Sequence, residues 1–186
     1  MTTPPTTRPE RELRRAPSLV LVNTGDGKGK TTAAMGTVLR ALARNWAVCV
    51  VQFVKSGRWH SGEVRLLSAL GAQWHTMGDG FTWESDDLDR SAEMAREAWA
   101  LAKEAIASGR FNLVLLDEVT YPVNWGWIDE DDVVTTITTR PAHVNVVLTG
   151  RDASAPIVSL ADTVSEVRKV KHAFDAGFRA MKGIDF

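Results

Sequence analysis

The sequence predicts an α/β fold, a mostly parallel sheet with helices on both faces. Short, continuously apolar runs alternate with segments in which apolar residues recur at helical spacing, as in parallel strands joined by crossover helices. The predicted strands cover 18–23, 47–54, 72–77, 111–116, 145–148 and part of 163–170. The predicted helices cover 31–44, 63–70, 129–139 and a long stretch that begins with Ser85 as its N-cap and closes at Gly109.

The long helix has the clearest pattern. One apolar face recurs at steps of three and four, which is typical of a helix that packs on a core, and its members are Leu88, Ala92, Ala95, Trp99, Ala102 and Ile106. Trp99 is therefore interpreted as core. The acidic run 129–132 is interpreted as the start of the next helix, because acids are favourable there, rather than as a metal cluster.

Composition limits the classes of protein. The chain has 186 residues and a formal net charge of -1, which favours one soluble domain and gives no electrostatic reason to expect a nucleic-acid partner. We expect a flexible tail over 1–17 and a folded domain over 18–186. A single cysteine, Cys49, lies in an apolar run and is interpreted as core filler in a reducing compartment. With no apolar stretch long enough for a membrane span, a cytoplasmic location is expected.

A glycine-rich loop lies where the first strand ends and the first helix begins. Its residues are Thr24, Gly25, Asp26, Gly27, Lys28, Gly29, Lys30, Thr31 and Thr32. Glycines let successive N–H groups point at phosphate oxygens, Lys30 supplies a cation and Thr31 supplies a hydroxyl for Mg²⁺. The consensus places glycine where this chain has Thr24, with Gly25 one place later. Strand, lysine, threonine and helix nevertheless align, so the sequence predicts a Walker A loop that binds ATP.

A second nucleotide signal follows the fourth predicted strand. The apolar run 113–116 ends in Asp117 and Glu118, the Walker B pattern that presents carboxylate to a metal ion beside the phosphates. A later strand of the same sheet emerges at the edge where the loop lies, so both acids are predicted ligands of Mg²⁺. Together the two motifs predict a P-loop fold of the RecA-like type, but they do not define a reaction.

The rest of the sequence narrows the choice. The segments 24–34, 51–55, 80–84, 116–121, 148–151, 160–166 and 170–177 occur in the order found in bacterial P-loop ATP:corrinoid adenosyltransferases. The chain closely resembles this family from about residue 19 to its end, and Thr24 matches the family's own form of the loop.

The resemblance implies transfer of the 5′-deoxyadenosyl group of ATP to the cobalt(I) of a reduced corrinoid, with release of triphosphate. It implies Phe81 and Trp83 as aromatic residues that displace the lower axial ligand of cobalt and ease its reduction. It also implies nucleotide held in reversed polarity, an electron-donating reductase, expected to be a flavoprotein, and a homodimer.

Several residues keep alternative interpretations. Arg151 is a candidate phosphate ligand or a surface-turn residue. Trp125 and Trp127 fit a corrin-facing wall, the core or a subunit interface. Lys171, His172 and Asp175 match the family without a derivable role. The rival functions are an NTPase or kinase acting at the γ-phosphate, and a nucleic-acid binder or corrinoid carrier without catalysis.

Overall fold

A computed structural model describes residues 13–55, 61–78 and 87–185. Within them the strands are β1 Val20–Thr24, β2 Val48–Gln52, β3 Gln73–Thr76, β4 Leu113–Asp117, β5 Asn145–Thr149 and β6 Thr163–Glu166. The helices are α1 Lys30–Leu42, α2 Gly62–Ala69, α3 Leu88–Ala107, α4 Thr120–Asn124, α5 Glu130–Thr138 and α6 Ala155–Leu160, followed by a 3₁₀ turn, Ala173–Ala176.

The described strands form one parallel sheet in the order β3-β2-β4-β5-β1-β6. Successive residues of β4 alternate between two cores: Leu113 and Leu115 pack with α1, while Val114 and Leu116 pack with α3. Because both faces are covered, every position of the strand is buried, which is why its sequence is continuously apolar. The predicted α/β class, the parallel sheet and the helices on both faces are confirmed.

The predicted long helix is confirmed, but its start is wrong. Asp87 is the N-cap and accepts a hydrogen bond from the Arg90 N–H, so the helix begins at Leu88 rather than just after Ser85, which lies outside the described residues. An aspartate caps as well as a serine, and this one directly precedes the apolar face. Trp99 is buried as predicted.

The acidic run 129–132 begins a helix, as predicted. Asp129 caps α5 by accepting from the Asp131 N–H. Asp132 accepts from Trp99 Nε1 and pairs with Lys103, so it joins α5 to α3.

Helices α4 and α6 were not predicted. They have five and six residues, too few for a helical period to show in the sequence. None of the helices in the described part of the chain is long and apolar enough to cross a membrane.

Candidate functional site

A polar pocket of about 300 Å³ opens at the carboxyl edge of the sheet. Its walls come from the glycine-rich loop, the ends of β2 and β4, the start of α2, the loop after β5 and the last residues of the chain. The lining residues are Asp26, Gly27, Lys28, Gly29, Lys30, Thr31, Thr32, Lys55, Ser61, Glu63, Glu118, Tyr121, Arg151, His172 and Asp185. All of the predicted nucleotide-binding residues except Gly25 thus line one pocket.

The backbone of the loop explains its displaced glycine. Gly25 and Gly29 have positive φ, 95° and 119°, which favours glycine, whereas Thr24 is the last residue of β1. The Thr24 hydroxyl accepts a hydrogen bond from the Ala153 N–H at 3.1 Å, which ties the loop to the segment after β5. Threonine at position 24 therefore has a structural use, and the turn begins one residue later.

Lys30 lies folded against its own loop. Its Nζ donates to the carbonyl oxygens of Gly25 and Gly27, both at 2.7 Å. Burial, and after it the charge of Arg151, lowers the pKa of Lys30 from its ordinary value. The ammonium group is thus held at the loop, where a phosphate would meet it.

The loop glycines also contact the segment after β6. The Gly27 N–H donates to the Val167 carbonyl at 2.7 Å, and the Val167 N–H donates to the Thr24 carbonyl at 2.8 Å. A Cβ on Gly25 would lie 2.6 Å from the Val167 oxygen, and one on Gly27 would lie 2.8 Å from the Arg168 backbone. Close approach of a neighbouring chain segment is therefore a second reason for glycine at both positions.

Asp117 is completely buried at the end of β4. Its Oδ1 accepts from Thr31 at 2.9 Å and Thr149 at 2.7 Å, and its Oδ2 accepts from Gln52 at 2.9 Å and Lys55 at 3.2 Å. These four donors use the acceptor positions that a carboxylate offers. Asp117 thus holds its four donors in place. Because the Thr31 hydroxyl donates its proton to Asp117, its oxygen lone pairs remain available to another ligand.

Glu118 contrasts with its neighbour. It has a positive φ of 66°, an uncommon conformation for a residue with a side chain, and its N–H donates to the Thr149 hydroxyl at 2.9 Å. Its carboxylate lines the pocket and accepts no hydrogen bond from any residue that the structure describes. Burial, and after it the charge of Asp117, raises the pKa of Glu118 to about 7. An unpaired carboxylate with a raised pKa is suited to binding a cation.

Lys55 lines the pocket beside Asp117. Burial alone lowers its pKa, but the charges of Asp117 and Glu118 outweigh that effect and raise it above the ordinary value. The ammonium group is therefore a fixed positive charge beside both acids.

Arg151 and Tyr121 also line the pocket. A side chain at Gly150 would overlap the Thr120 hydroxyl, which donates to the Arg151 carbonyl at 2.7 Å and fixes the turn after β5. The Tyr121 ring stacks on Trp125 at 5.6 Å between centroids.

The two tryptophans lie on the outer side of Tyr121. Trp125 contacts Trp127 at 4.7 Å between ring centroids and is 39% exposed, while Trp127 packs against the core. The three rings of Tyr121, Trp125 and Trp127 extend from the pocket lining towards solvent. Of the alternatives predicted for the two tryptophans, a core position agrees with Trp127 and disagrees with Trp125.

Phe81 and Trp83 lie within 79–86, outside the described residues, so their predicted role remains a prediction. Sequence reasoning missed several polar residues of the site: Gln52, Lys55, Thr149, Tyr121 and Asp185. Gln52 and Thr149 had a usable signal, since each is a polar residue that ends an apolar strand. His172, which matched the family without a role, lines the pocket.

A larger cavity of about 460 Å³ lies at the opposite edge of the sheet, between α1 and the amino ends of β1, β4 and β5. Its walls are mainly apolar, and none of the motif residues lines it. The residues of the two nucleotide motifs that line a cavity are therefore concentrated at the carboxyl edge, where ligands of open parallel sheets bind.

The fold and the position of the loop define an α/β protein of RecA-like fold with a polar pocket at the carboxyl edge of its sheet. FlaH, a flagellar accessory protein from Methanocaldococcus jannaschii, has a similar solved structure, with a TM-score of 0.50 and 11% identity over 81% of this chain and 71% of that one. This likeness concerns the fold alone.

The family follows from the sequence comparisons. The family model described as ATP:corrinoid adenosyltransferase BtuR/CobO/CobP matches residues 16–186. A corrinoid adenosyltransferase of Escherichia coli (strain K12) is 45% identical over 168 residues, 90% of this chain and 85% of its own length. One from Pseudomonas aeruginosa is 41% identical over 177 residues, 94% and 87% of the two chains. The chain belongs to the ATP:corrinoid adenosyltransferase family.

Proposed function

We propose that this chain transfers the 5′-deoxyadenosyl group of ATP to the cobalt(I) of a reduced corrinoid in cobalamin biosynthesis or salvage. The cobalt electron pair attacks the ribose C5′, the cobalt–carbon bond forms, and the bond between C5′ and the triphosphate oxygen breaks. Triphosphate leaves with the electron pair of that bond. The observation that carries the proposal is the pocket itself: in a chain of this family, it is lined by the glycine-rich loop, by Arg151 and by Glu118, whose carboxylate has no hydrogen-bond partner among the described residues.

Displacement at carbon needs a stabilised leaving group rather than an acid or base. In this proposal the loop from Gly25 to Thr32 holds the triphosphate through its N–H groups other than that of Gly27, which already donates to the Val167 carbonyl, with Lys28, Lys30 and Arg151 as cations. Lys30 moves from the Gly25 and Gly27 carbonyls to the phosphates. The positive end of α1 adds to the same field.

The residues at the end of β4 fit Mg²⁺. A hydroxyl with free lone pairs, Thr31, and an unpaired carboxylate, Glu118, are oxygen ligands of the kind that Mg²⁺ accepts together with phosphate oxygens. Asp117, with its four donors, acts through Thr31 in this proposal instead of binding the ion directly. Bound Mg²⁺ would neutralise charge that develops on the leaving triphosphate.

The corrinoid side of the reaction includes Phe81 and Trp83, which keep the predicted role of freeing the lower face of cobalt. If they act on the reduction step, Phe81→Ala and Trp83→Ala lose activity with cobalt(II) and a reductase and keep more of it when cobalt(I) is supplied ready-made. Equal losses in both assays would contradict this role. An electron-donating flavoprotein, a homodimer and a cytoplasmic location belong to the same proposal.

Product analysis tests the proposed reaction. The protein is incubated with MgATP and a chemically reduced corrinoid, and the products are separated. We expect a light-sensitive cobalt–carbon product and one triphosphate for each adenosyl group transferred, and we expect Lys30→Met to abolish both. ADP with phosphate, or a phosphorylated acceptor, would support the rival reaction at the γ-phosphate. Corrinoid binding that needs no ATP and gives no turnover would indicate a carrier.

A further inference from the structure

The last residues of the chain form part of the phosphate pocket. The C-terminal segment, residues 167–185, follows β6 and runs along the glycine-rich loop, to which it is joined by the Gly27 N–H and the Val167 carbonyl. Two of its side chains, His172 and Asp185, line the pocket. The segment is therefore a wall of the nucleotide site as well as a continuation of the sheet edge.

Asp185 is held at this wall by two contacts. Its Oδ1 lies 2.6 Å from Lys28 Nζ, and its Oδ2 accepts a hydrogen bond from the Met181 N–H at 2.7 Å. The bond to Lys28, and after it the Met181 bond, lowers the pKa of Asp185 from its ordinary value. The carboxylate is thus ionised at neutral pH and fixed against a cation of the phosphate loop.

The partner of Asp185 is one of the two lysines of the loop. Lys28 is 44% exposed and the side chain of Asp185 is 24% exposed, so an incoming anion can reach the pair from solvent. A triphosphate that contacts Lys28 meets this carboxylate, and the two anions compete for one ammonium group. Through this contact Asp185 would oppose triphosphate binding, whereas a side chain that only braced the loop would support it.

We propose that Asp185 sets the affinity of the site for triphosphate: it competes with the phosphates for Lys28 and so weakens the hold of the loop on ATP and on the triphosphate product. The inference rests on the proposed function, because it needs triphosphate at the loop. Its use follows from the reaction. After transfer, the product keeps the phosphate contacts but has lost its link to adenosine, so a competing anion built into the chain promotes its release.

The sign of one affinity change separates this role from a structural one. The probe is inorganic triphosphate with Mg²⁺, and its dissociation constant is measured by calorimetry on the full chain. Asp185→Asn keeps an acceptor for the Met181 N–H but loses the charge. We expect the variant to bind triphosphate about 2- to 5-fold more tightly, the scale of one partly exposed ion pair that triphosphate no longer has to break. In turnover, the inhibition constant for triphosphate falls by the same factor.

Asp175→Asn is the matched control. Asp175 lies on the same segment and pairs with Lys169 at 3.1 Å, but neither residue lines the pocket. We expect its triphosphate affinity to equal that of the wild type. Lys28→Met completes the test: it weakens triphosphate binding, and Asp185→Asn added to it has a clearly smaller effect, because the contested cation is gone and only direct repulsion between the carboxylate and the phosphates remains.

Each outcome has a separate meaning. A wild-type protein that does not bind magnesium triphosphate contradicts the proposed function itself. A wild-type protein that binds it, with Asp185→Asn binding equally or more weakly, overturns the inference and leaves the proposed function standing. An effect of Asp185→Asn that is undiminished in the Lys28→Met background also overturns it. Equal melting temperatures of the two aspartate variants and the wild type exclude misfolding as the cause of a change.

Discussion

Two regions flank the same phosphate loop, and they hold it in different ways. The end of β4 is buried: Asp117 has no exposure and binds donors from the loop and from strands β2 and β5. The C-terminal segment is largely exposed and holds the loop through backbone contacts and the ion pair of Lys28 with Asp185. The buried network fixes the position of Thr31, which is a predicted ligand of Mg²⁺. The exposed ion pair leaves Lys28 able to exchange Asp185 for a phosphate group.

The buried region gives the largest expected effect. Asp117→Asn places an amide N–H₂ group, itself a donor, against the donors that surround the carboxylate, and it removes the negative charge that pairs with Lys55. We therefore expect a loss of about 3–5 kcal/mol in the free energy of unfolding. This corresponds to a fall of roughly 10 °C in the melting temperature of a chain of this size. Thermal and denaturant unfolding measure it. Asp175→Asn, which breaks an exposed pair, is the control and should change little. Similar losses in the two variants would remove the distinction between the regions.

Lys55→Met tests the same network by removing the lysine that binds Asp117. The variant removes a charged hydrogen bond from a buried carboxylate, for which we expect a loss of about 1.5–3 kcal/mol. The magnesium concentration needed for half-maximal turnover should also rise, because Asp117 then positions Thr31 less well.

The control for Lys55→Met is Lys103→Met, which breaks the partly exposed pair with Asp132. We expect it to lose at most ~1 kcal/mol without changing the magnesium requirement. An unchanged magnesium requirement in Lys55→Met would show that Lys55 has only a structural role.

Gly27→Ala tests the contact between the loop and the C-terminal segment. The new Cβ would lie 2.8 Å from the Arg168 backbone, so loop or segment must shift, at an expected cost of about 1–3 kcal/mol and with weaker ATP binding. Gly36→Ala is the matched control: it lies in α1 with open space around its Cβ, and alanine there should add about 0.5–1 kcal/mol of stability. If Gly27→Ala kept the wild-type affinity for ATP, the segment would not shape the loop.

The effect of Glu118 on stability has a defined pH dependence. The pKa of Glu118 is raised from 4.5 to about 7, so the folded protein binds this proton more tightly than the unfolded chain. The wild type therefore loses stability as the pH rises through this interval, and Glu118→Gln does not. Without Mg²⁺ we expect the variant to melt roughly 10 °C higher than the wild type at pH 8, and equally at pH 4. A variant that melts lower at pH 8 would contradict an unpaired Glu118.

The sequence predicted the regular parts of the fold and the centre of the site. The loop, Asp117 and Glu118 carry local patterns, and the parallel sheet brings them together because the carboxyl ends of its strands share one edge. Gln52 and Thr149 reach Asp117 only through the strand order β2-β4-β5, which no local pattern reveals. Asp185 has even less signal, since it meets Lys28 only after the chain has crossed to β6 and returned along the loop.

The fate of one oxygen atom tests the central claim, which is that the loop holds a leaving triphosphate while the reaction occurs at C5′. The protein is incubated with Mg²⁺, a cobalt(I) corrinoid and ATP that carries ¹⁸O in the bridge between C5′ and the α-phosphorus. The products are analysed by mass spectrometry. We expect all of the label in inorganic triphosphate, because the C5′–O bond breaks. Label that stays with adenosine or in ADP would show cleavage at phosphorus and contradict the account.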